Sequence, residues 1–223
     1  MNTEYEINNC LESVKDLYRF EYHILDMRNK REKDSNLLSI LPEKELEHLE
    51  KIKIEKNRIQ WISGRYSVKS ALTKYKLNRG ALMDFSSIDV LKGEDSSPYI
   101  VQYPELCVSI THSFPYCIGV VSENKIGIDL EKISEHKESL TKYFYTLKEQ
   151  EFLNGYKGTD EYWKQAMVIW TRKEAVSKLF KLGMKMDFKK LCTLKDTIDL
   201  KNYRICLKSF ICTEYALSIA VFF

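Results

Sequence analysis

Proline and glycine are scarce: the chain of 223 residues has four of the first and eight of the second. No linker rich in either is present, and neither a low-complexity stretch nor an internal sequence repeat is visible. No apolar run is long enough to span a membrane, and the opening MNTEYEINNC lacks the basic-then-apolar order of a signal peptide. The six cysteines (Cys10, Cys107, Cys117, Cys192, Cys206 and Cys212) include no CxxC pair. They lie largely among apolar neighbours, as in Ile205-Cys206-Leu207, which favours buried reduced thiols over a disulfide framework or a zinc site. Excess charge is also small, at net +3 with 30% charged residues. A general nucleic-acid binder is usually more basic, whereas a local cationic pocket fits this balance. The expectation is a cytoplasmic protein with neither a membrane nor a nucleic acid as partner.

What is present is a globular composition, 44% hydrophobic, in a chain long enough for one large domain or two small ones. The first forty or so residues mix polar and apolar positions without a clean period. Residues 41–77 read as two helices, the second near 54–76, with Ile59, Ile62, Tyr66 and Leu72 on one face. Arg58, Arg65 and Lys69, seven and four apart, share another face. Residues 106–131 change period: LCVSIT, YCIGVV and IGIDLE read as three short strands joined by the turns HSFP and SENK. TLKE at 146–149 has the form of a capping box, with Thr146 as cap and Glu149 at the third helical position. Thr159 followed by two acids starts a helix expected to run to about Phe180, with Gly183 as the stop signal. The tail reads as two strands. Helices and strands occur in each half, an α+β pattern. A soft boundary at 122–125 divides an N-terminal half, 1–122, from a C-terminal half, 123–223.

In KIGIDLE, period-two alternation points Ile126, Ile128 and Leu130 one way, and Gly127, Asp129 and Glu131 the other. The second set presents two carboxylates beside a glycine that leaves room for something to approach. Carboxylates two residues apart repel, and a bound cation relieves that repulsion. Few ligands, all oxygen, suit Mg²⁺ that keeps waters and shares substrate phosphates. Taken alone, the same pattern is that of an ordinary solvent face. A third carboxylate, Glu174 in WTRKEAVSK, continues the stripe of Trp163, Met167 and Trp170 at helical steps. A buried charge there needs a metal or a partner, and Lys178 lies one turn on, with Lys173 adjacent. In SITHS, Thr111, His112 and Ser113 at a strand end offer hydroxyls, an imidazole and turn amides that suit a phosphate. By themselves they also suit an ordinary surface turn, just as the Arg58/Arg65/Lys69 face suits an ordinary solvated helix. As a set, the acids and cations match metal-assisted phosphoryl chemistry.

IGIDLEKI followed some forty residues later by WTRKEAVSKL resembles the paired signatures of the Sfp-type 4′-phosphopantetheinyl transferases, G-[IV]-D-[IV]-E and [WF]-[ST]-x-K-E-[AS]-x-x-K. VSITHS resembles that family's S-x-S-H-S segment, GRYSVKSAL its N-terminal helix motif, and YFYTLKEQEFL its F-F-x-x-x-E segment. The resemblance covers nearly the whole chain. It implies an α+β pseudo-dimer of two similar halves with the active site at their interface, and, both halves being fused, an active monomer. The implied reaction moves the 4′-phosphopantetheine arm of coenzyme A to a serine of an acyl, peptidyl or aryl carrier protein. It needs Mg²⁺ and releases 3′,5′-ADP.

By the same resemblance, Asp129, Glu131 and Glu174 bind the metal, with Glu174 also the candidate base, and the C-terminal half supplies these acids. Lys178 and its neighbour Lys173 match coenzyme A contacts, Lys178 being catalytic as well. His112 with Thr111 matches the 3′-phosphate segment, and Arg58 and Arg65 approximate cationic positions of the N-terminal half. Two segments depart from the family. SSPY (96–99) replaces the usual G-K-P, and KLGM (181–184) stands where G-x-G-L is common. A Mg²⁺-dependent phosphohydrolase or nuclease, and a non-catalytic module that binds a carrier protein or a nucleotide, are the alternative readings.

Overall fold

The computed structural model describes residues 2–135 and 138–223. In chain order the elements are α1 (Thr3–Tyr18), β1 (Phe20–Asp26), α2 (Ser35–Leu38), α3 (Glu43–Glu50), α4 (Glu55–Leu77), β2 (Val90–Lys92), β3 (Pro98–Ile100), β4 (Cys107–Ser113) and β5 (Tyr116–Ser122). There follow β6 (Ile126–Lys132), α5 (Glu138–Phe144), α6 (Leu147–Asn154), α7 (Asp160–Leu179), β7 (Thr197–Leu200), β8 (Tyr203–Cys212) and β9 (Tyr215–Phe222). Two compact units result, an α+β arrangement in each. One is Leu11–Lys125; the other is Ile126–Phe223 with the residues up to Cys10. Among the described residues no helix is long and apolar enough to cross a membrane.

In the first unit α4 lies on an antiparallel sheet of order β1-β5-β4. The close approach is made at Gly119 in the central strand. A Cβ there would stand 2.5 Å from the Val68 nitrogen. Val68, Ala71, Leu72, Val108 and Val121 fill one core of this unit, and Leu25, Leu37, Leu49 and Ile62 a second. The opening segment, which shows no clean period, folds as α1 and β1. Its buried positions are Ile7, Leu11 and Val14 in α1, then Phe20, Tyr22 and Leu25 in β1.

The second unit repeats the plan, with α7 on an antiparallel sheet of order β6-β9-β8-β7. Gly127 of β6 is the point of contact: a Cβ would collide with the Ala175 carbonyl oxygen and lie 2.6 Å from the Leu179 nitrogen. The face of Gly127, Asp129 and Glu131, expected to be open, is therefore the face that receives α7, and β6 is buried through Leu130. Ala175, Val176 and Leu179 of the helix pack with Phe188, Ile205, Leu207 and Ala220. Adding one methyl at Gly127 must push the helix off the strand. Gly127→Ala should cost about 3 kcal/mol or more, at the upper end of overpacking penalties. Urea unfolding measures it, and an unchanged midpoint would contradict the contact.

Capping follows the sequence in one place and departs from it in another. Thr146 and Glu149 form the capping box of α6. Helix α7 ends on Lys181, in the left-handed region at φ 57°. The Leu182 amide donates to the Ser177 carbonyl at 3.0 Å and the Lys181 amide to the Lys178 carbonyl at 3.1 Å. This pair of bonds is a Schellman closure. The stop is thus two residues before Gly183, which opens a short 3₁₀ turn, Gly183–Lys185.

Each unit also contains a buried lysine–glutamate pair on the same plan. Lys69 of α4 meets Glu45 of α3 at 2.8 Å, and Lys173 of α7 meets Glu149 of α6 at 2.7 Å, all four side chains being wholly buried. The lysine follows its glutamate by 24 residues in both. Five residues beyond it a second lysine donates at 3.0 Å to a carbonyl of the unit's first strand, Lys74 to Tyr22 and Lys178 to Ile128.

Candidate active site

The approach of α7 to Gly127 brings acidic and basic groups together in the second unit. Lys178, one helical turn beyond Glu174, reaches β6. Its Nζ donates to Asp129 Oδ1 at 2.7 Å and to the Ile128 carbonyl at 3.0 Å. Asp129 is 4% exposed, and its neighbour across the sheet is Ser218, whose hydroxyl is 2.8 Å from that of Thr171 on α7. Glu131 lies two residues along the same face and lines a cavity of about 270 Å³ with Lys132, Ser134, Phe144, Tyr145, Met167 and Trp170. The expected stripe of Met167 and Trp170 thus forms a cavity wall, with Trp170 packed against Phe144 and Phe188.

Burial pushes the Glu174 carboxyl up, the Asp129 charge adds to this and Lys178 offsets part of it, leaving its pKa at about 6. In an unfolded chain the ordinary value is 4.5. A carboxyl that ionises later in the fold carries no penalty below the unfolded value. It costs stability as pH rises through 6. In the metal-free protein, Glu174→Gln should therefore raise stability by about 1–2 kcal/mol near pH 7.5. The gain should shrink as pH falls through 6 toward 4.5. Denaturant melts across that range provide the check, and a loss of stability near pH 7.5 would refute it.

The acids suit a hard cation in chemistry: all donors are oxygen, and Asp129 and Glu174 repel in a way that bound Mg²⁺ would relieve. Among the described residues, however, no three His, Cys, Asp or Glu side chains converge closely enough to hold a metal by themselves. An ion here would draw the rest of its ligands from substrate and water, as Mg²⁺ commonly does.

The cationic residues expected to bind a nucleotide divide into two groups. Lys173 is wholly buried, and besides Glu149 it donates to the carbonyls of Phe188 and Leu191. Its ammonium serves the core. Arg58 donates to the carbonyls of Leu49 and Ile52 and pairs with Glu32 at 3.0 Å. Lys69, expected on the same helix face, is in the core with Glu45. Arg65 and His112, by contrast, line one cavity of about 470 Å³ in the first unit. The Arg65 guanidinium lies 3.9 Å above the Trp61 ring, and its Nε donates to the Val90 carbonyl at 3.2 Å. His48 stacks on Trp61 at 5.1 Å. His112 is exposed, while Thr111 beside it is buried. Trp61, His48, Gln60 and Lys92 are cavity residues that the motifs did not single out. The four-residue step from Trp61 to Arg65 is the one local signal that could have found them. Ser96 and Pro98, from the segment that replaces G-K-P, line the same cavity.

The family model for the 4′-phosphopantetheinyl transferase superfamily matches residues 125–220. That span contains Asp129, Glu131, Glu174 and Lys178. Among curated proteins there is no match. Similar solved structures include the holo-[acyl-carrier-protein] synthase of Thermotoga maritima, 20% identical, with a TM-score of 0.37 over 56% of this chain and 73% of that one. Another is a holo-(acyl-carrier-protein) synthase from Bacillus anthracis in complex with CoA (3′,5′-ADP). It is 21% identical, with a TM-score of 0.36 over 46% of this chain and 91% of that one. The family match thus runs almost from end to end of residues 126–223, and over that part the chain is similar to the 4′-phosphopantetheinyl transferase superfamily.

Proposed function

We propose that this enzyme transfers the 4′-phosphopantetheine arm of coenzyme A to a serine of a carrier protein, with Mg²⁺, and releases 3′,5′-ADP. The observation that carries the reading is the packing of α7 on Gly127, which sets Lys178 on Asp129 and leaves Glu174 with a pKa near 6. A carboxyl of that pKa is largely ionised at neutral pH yet basic enough to accept a proton, which is what a general base requires.

In this reading the serine oxygen attacks the phosphorus that bears the pantetheine arm. A new P–O bond forms as the pyrophosphate P–O bond to the nucleotide breaks, and Glu174 takes the serine proton. Lys178, with two of its N–H groups on Asp129 and Ile128, directs the third to a phosphate oxygen. Asp129 and Glu174, the two acids that repel, would hold Mg²⁺ together with substrate and water oxygens, with Glu131 two residues along the strand as the further acid, and the ion when bound neutralises charge developing on the phosphate. The Arg65–Trp61–His112 cavity of the first unit, with an aromatic face and cationic groups, suits a phosphorylated nucleotide. Arg58 and Lys173 take structural roles.

The test incubates the protein with coenzyme A, Mg²⁺ and an apo carrier domain, followed by intact mass spectrometry of the carrier. A gain of the phosphopantetheine mass on serine, dependent on Mg²⁺, is expected. Cleavage of coenzyme A with no mass gain on any carrier would favour a phosphohydrolase instead. No turnover at all would leave a binding module.

A further inference from the structure

All six cysteines are thiols, and the proposed reaction uses none of them. Two are in contact across 202 residues of sequence: the Cys212 thiol donates to Cys10 Sγ at 3.4 Å. Cys10 lies on α1, in the first ten residues that belong with the C-terminal unit. Cys212 is the last residue of β8, at the β8–β9 hairpin, paired in register with Tyr215. The two segments are held together by a second bond beside the sulfurs, from the Thr213 hydroxyl to Glu6 Oε2 at 2.5 Å. Glu6 is four residues before Cys10, one turn of the same helix, so the contact is fixed from both sides.

The two thiols are unequal in a useful way. Cys212 is fully buried, while Cys10 is half-buried and reachable from solvent. The hydrogen bond from Cys212 holds the Cys10 thiol below its ordinary value, and the same bond with burial pushes Cys212 up. An accessible thiol with more thiolate character beside a shielded one is the arrangement of an attacking and a resolving cysteine.

We propose that Cys10 and Cys212 form a redox-modification site, closed to a disulfide by a hydroperoxide. The Cys10 thiolate attacks the terminal peroxide oxygen. The O–O bond breaks, Cys10 becomes a sulfenic acid and the alkoxide or hydroxide takes a proton. The Cys212 sulfur then attacks the sulfenyl sulfur, the S–O bond breaks and water leaves with the Cys212 proton. Two thiols are oxidised by two electrons and one hydroperoxide is reduced, to two waters when it is hydrogen peroxide. The bond fastens α1 to the end of β8 and closes a loop of nearly the whole chain.

The experiment treats the full-length native protein with hydrogen peroxide, blocks remaining thiols with an alkylating agent and maps peptides without reduction. The expected result is a Cys10–Cys212 linked peptide lighter by two hydrogens than the sum of its parts, reversed by dithiothreitol, with the other four cysteines alkylated. The oxidised protein should melt about 4–16 °C higher, the range set by typical disulfide stabilisation in a chain of this size. In Cys212→Ser, peroxide should leave Cys10 as a sulfenic acid trapped by dimedone. Cys10→Ser should leave Cys212 unmodified over the same interval. Full alkylation of Cys10 and Cys212 after peroxide, or Cys10 linked to a different cysteine, overturns the proposal. Dimedone trapping at Cys10 in the unsubstituted protein as readily as in Cys212→Ser would also overturn it.

Discussion

Asp129→Asn should lower the turnover number for carrier modification by about three orders of magnitude. The size follows from two facts about charged phosphoryl chemistry. A metal centre that neutralises developing phosphate charge supplies several kcal/mol, and each 1.36 kcal/mol is tenfold in rate. Asp129 is the acid that also holds Lys178, at 2.7 Å, so the substitution loosens the second cationic group as well. Asparagine keeps the volume at a position that is 4% exposed, so the fold should survive. A turnover number within tenfold of the unsubstituted enzyme would remove Asp129 from the chemistry.

The second large effect is on stability. Lys173→Met should destabilise the protein by about 3–5 kcal/mol, because it leaves the Glu149 carboxylate buried beside an apolar side chain. Glu149 keeps its bonds to Thr146 and to the Thr193 amide and hydroxyl, at 2.8–3.0 Å, and these limit the loss. In thermal melts the change corresponds to a drop of roughly 6–20 °C for a chain of this length. Measured on the folded fraction, KM for coenzyme A should stay within about threefold. The competing assignment of Lys173 as a coenzyme A contact requires the reverse: little change in melting and a KM raised ten- to a hundredfold, as for any lost charge-assisted hydrogen bond.

The contrast between Lys173 and Glu174 marks what could be read from the residues and what could not. Helix α7 and the three strands at 107–132 were legible because their periods differ sharply, 3.6 against 2. The capping box at Thr146–Glu149 was legible because it is a local contact. Asp129, Glu131, Glu174 and Lys178 stood out because their motifs are short and their spacing is set by one strand and one helix. Burial of Lys69 and Lys173 was not legible, since each depends on a glutamate 24 residues away that only tertiary structure brings near. The face of Gly127 was read as room for a ligand. The missing side chain makes room for a helix, and that difference lies in long-range packing. Helix α1 did carry a signal, since its buried positions Ile7, Leu11 and Val14 fall at helical steps of four and three, but the stripe is only three residues long; β1 hid because only Phe20, Tyr22 and Leu25 are buried, at uneven steps.

The repeated lysine–glutamate pair has a consequence for how such a protein can change. At the place where Asp129 follows Ile128 in one unit, His23 follows Tyr22 in the other; where Glu174 follows Lys173, Ser70 follows Lys69. A framework used twice bears this pair of carboxylates once. Within the unit that bears them, neighbouring codons answer to different demands, since Lys173 secures the core and Glu174 is the base of the proposed reaction. Mutation can thus explore one without immediately sacrificing the other, and the unit without the acids is free to drift toward whatever its partner molecule rewards. Evolvability here resides in adjacency: the residue that must not vary and the residue assigned to the proposed reaction are separated by one peptide bond and by about 100° around a single helix.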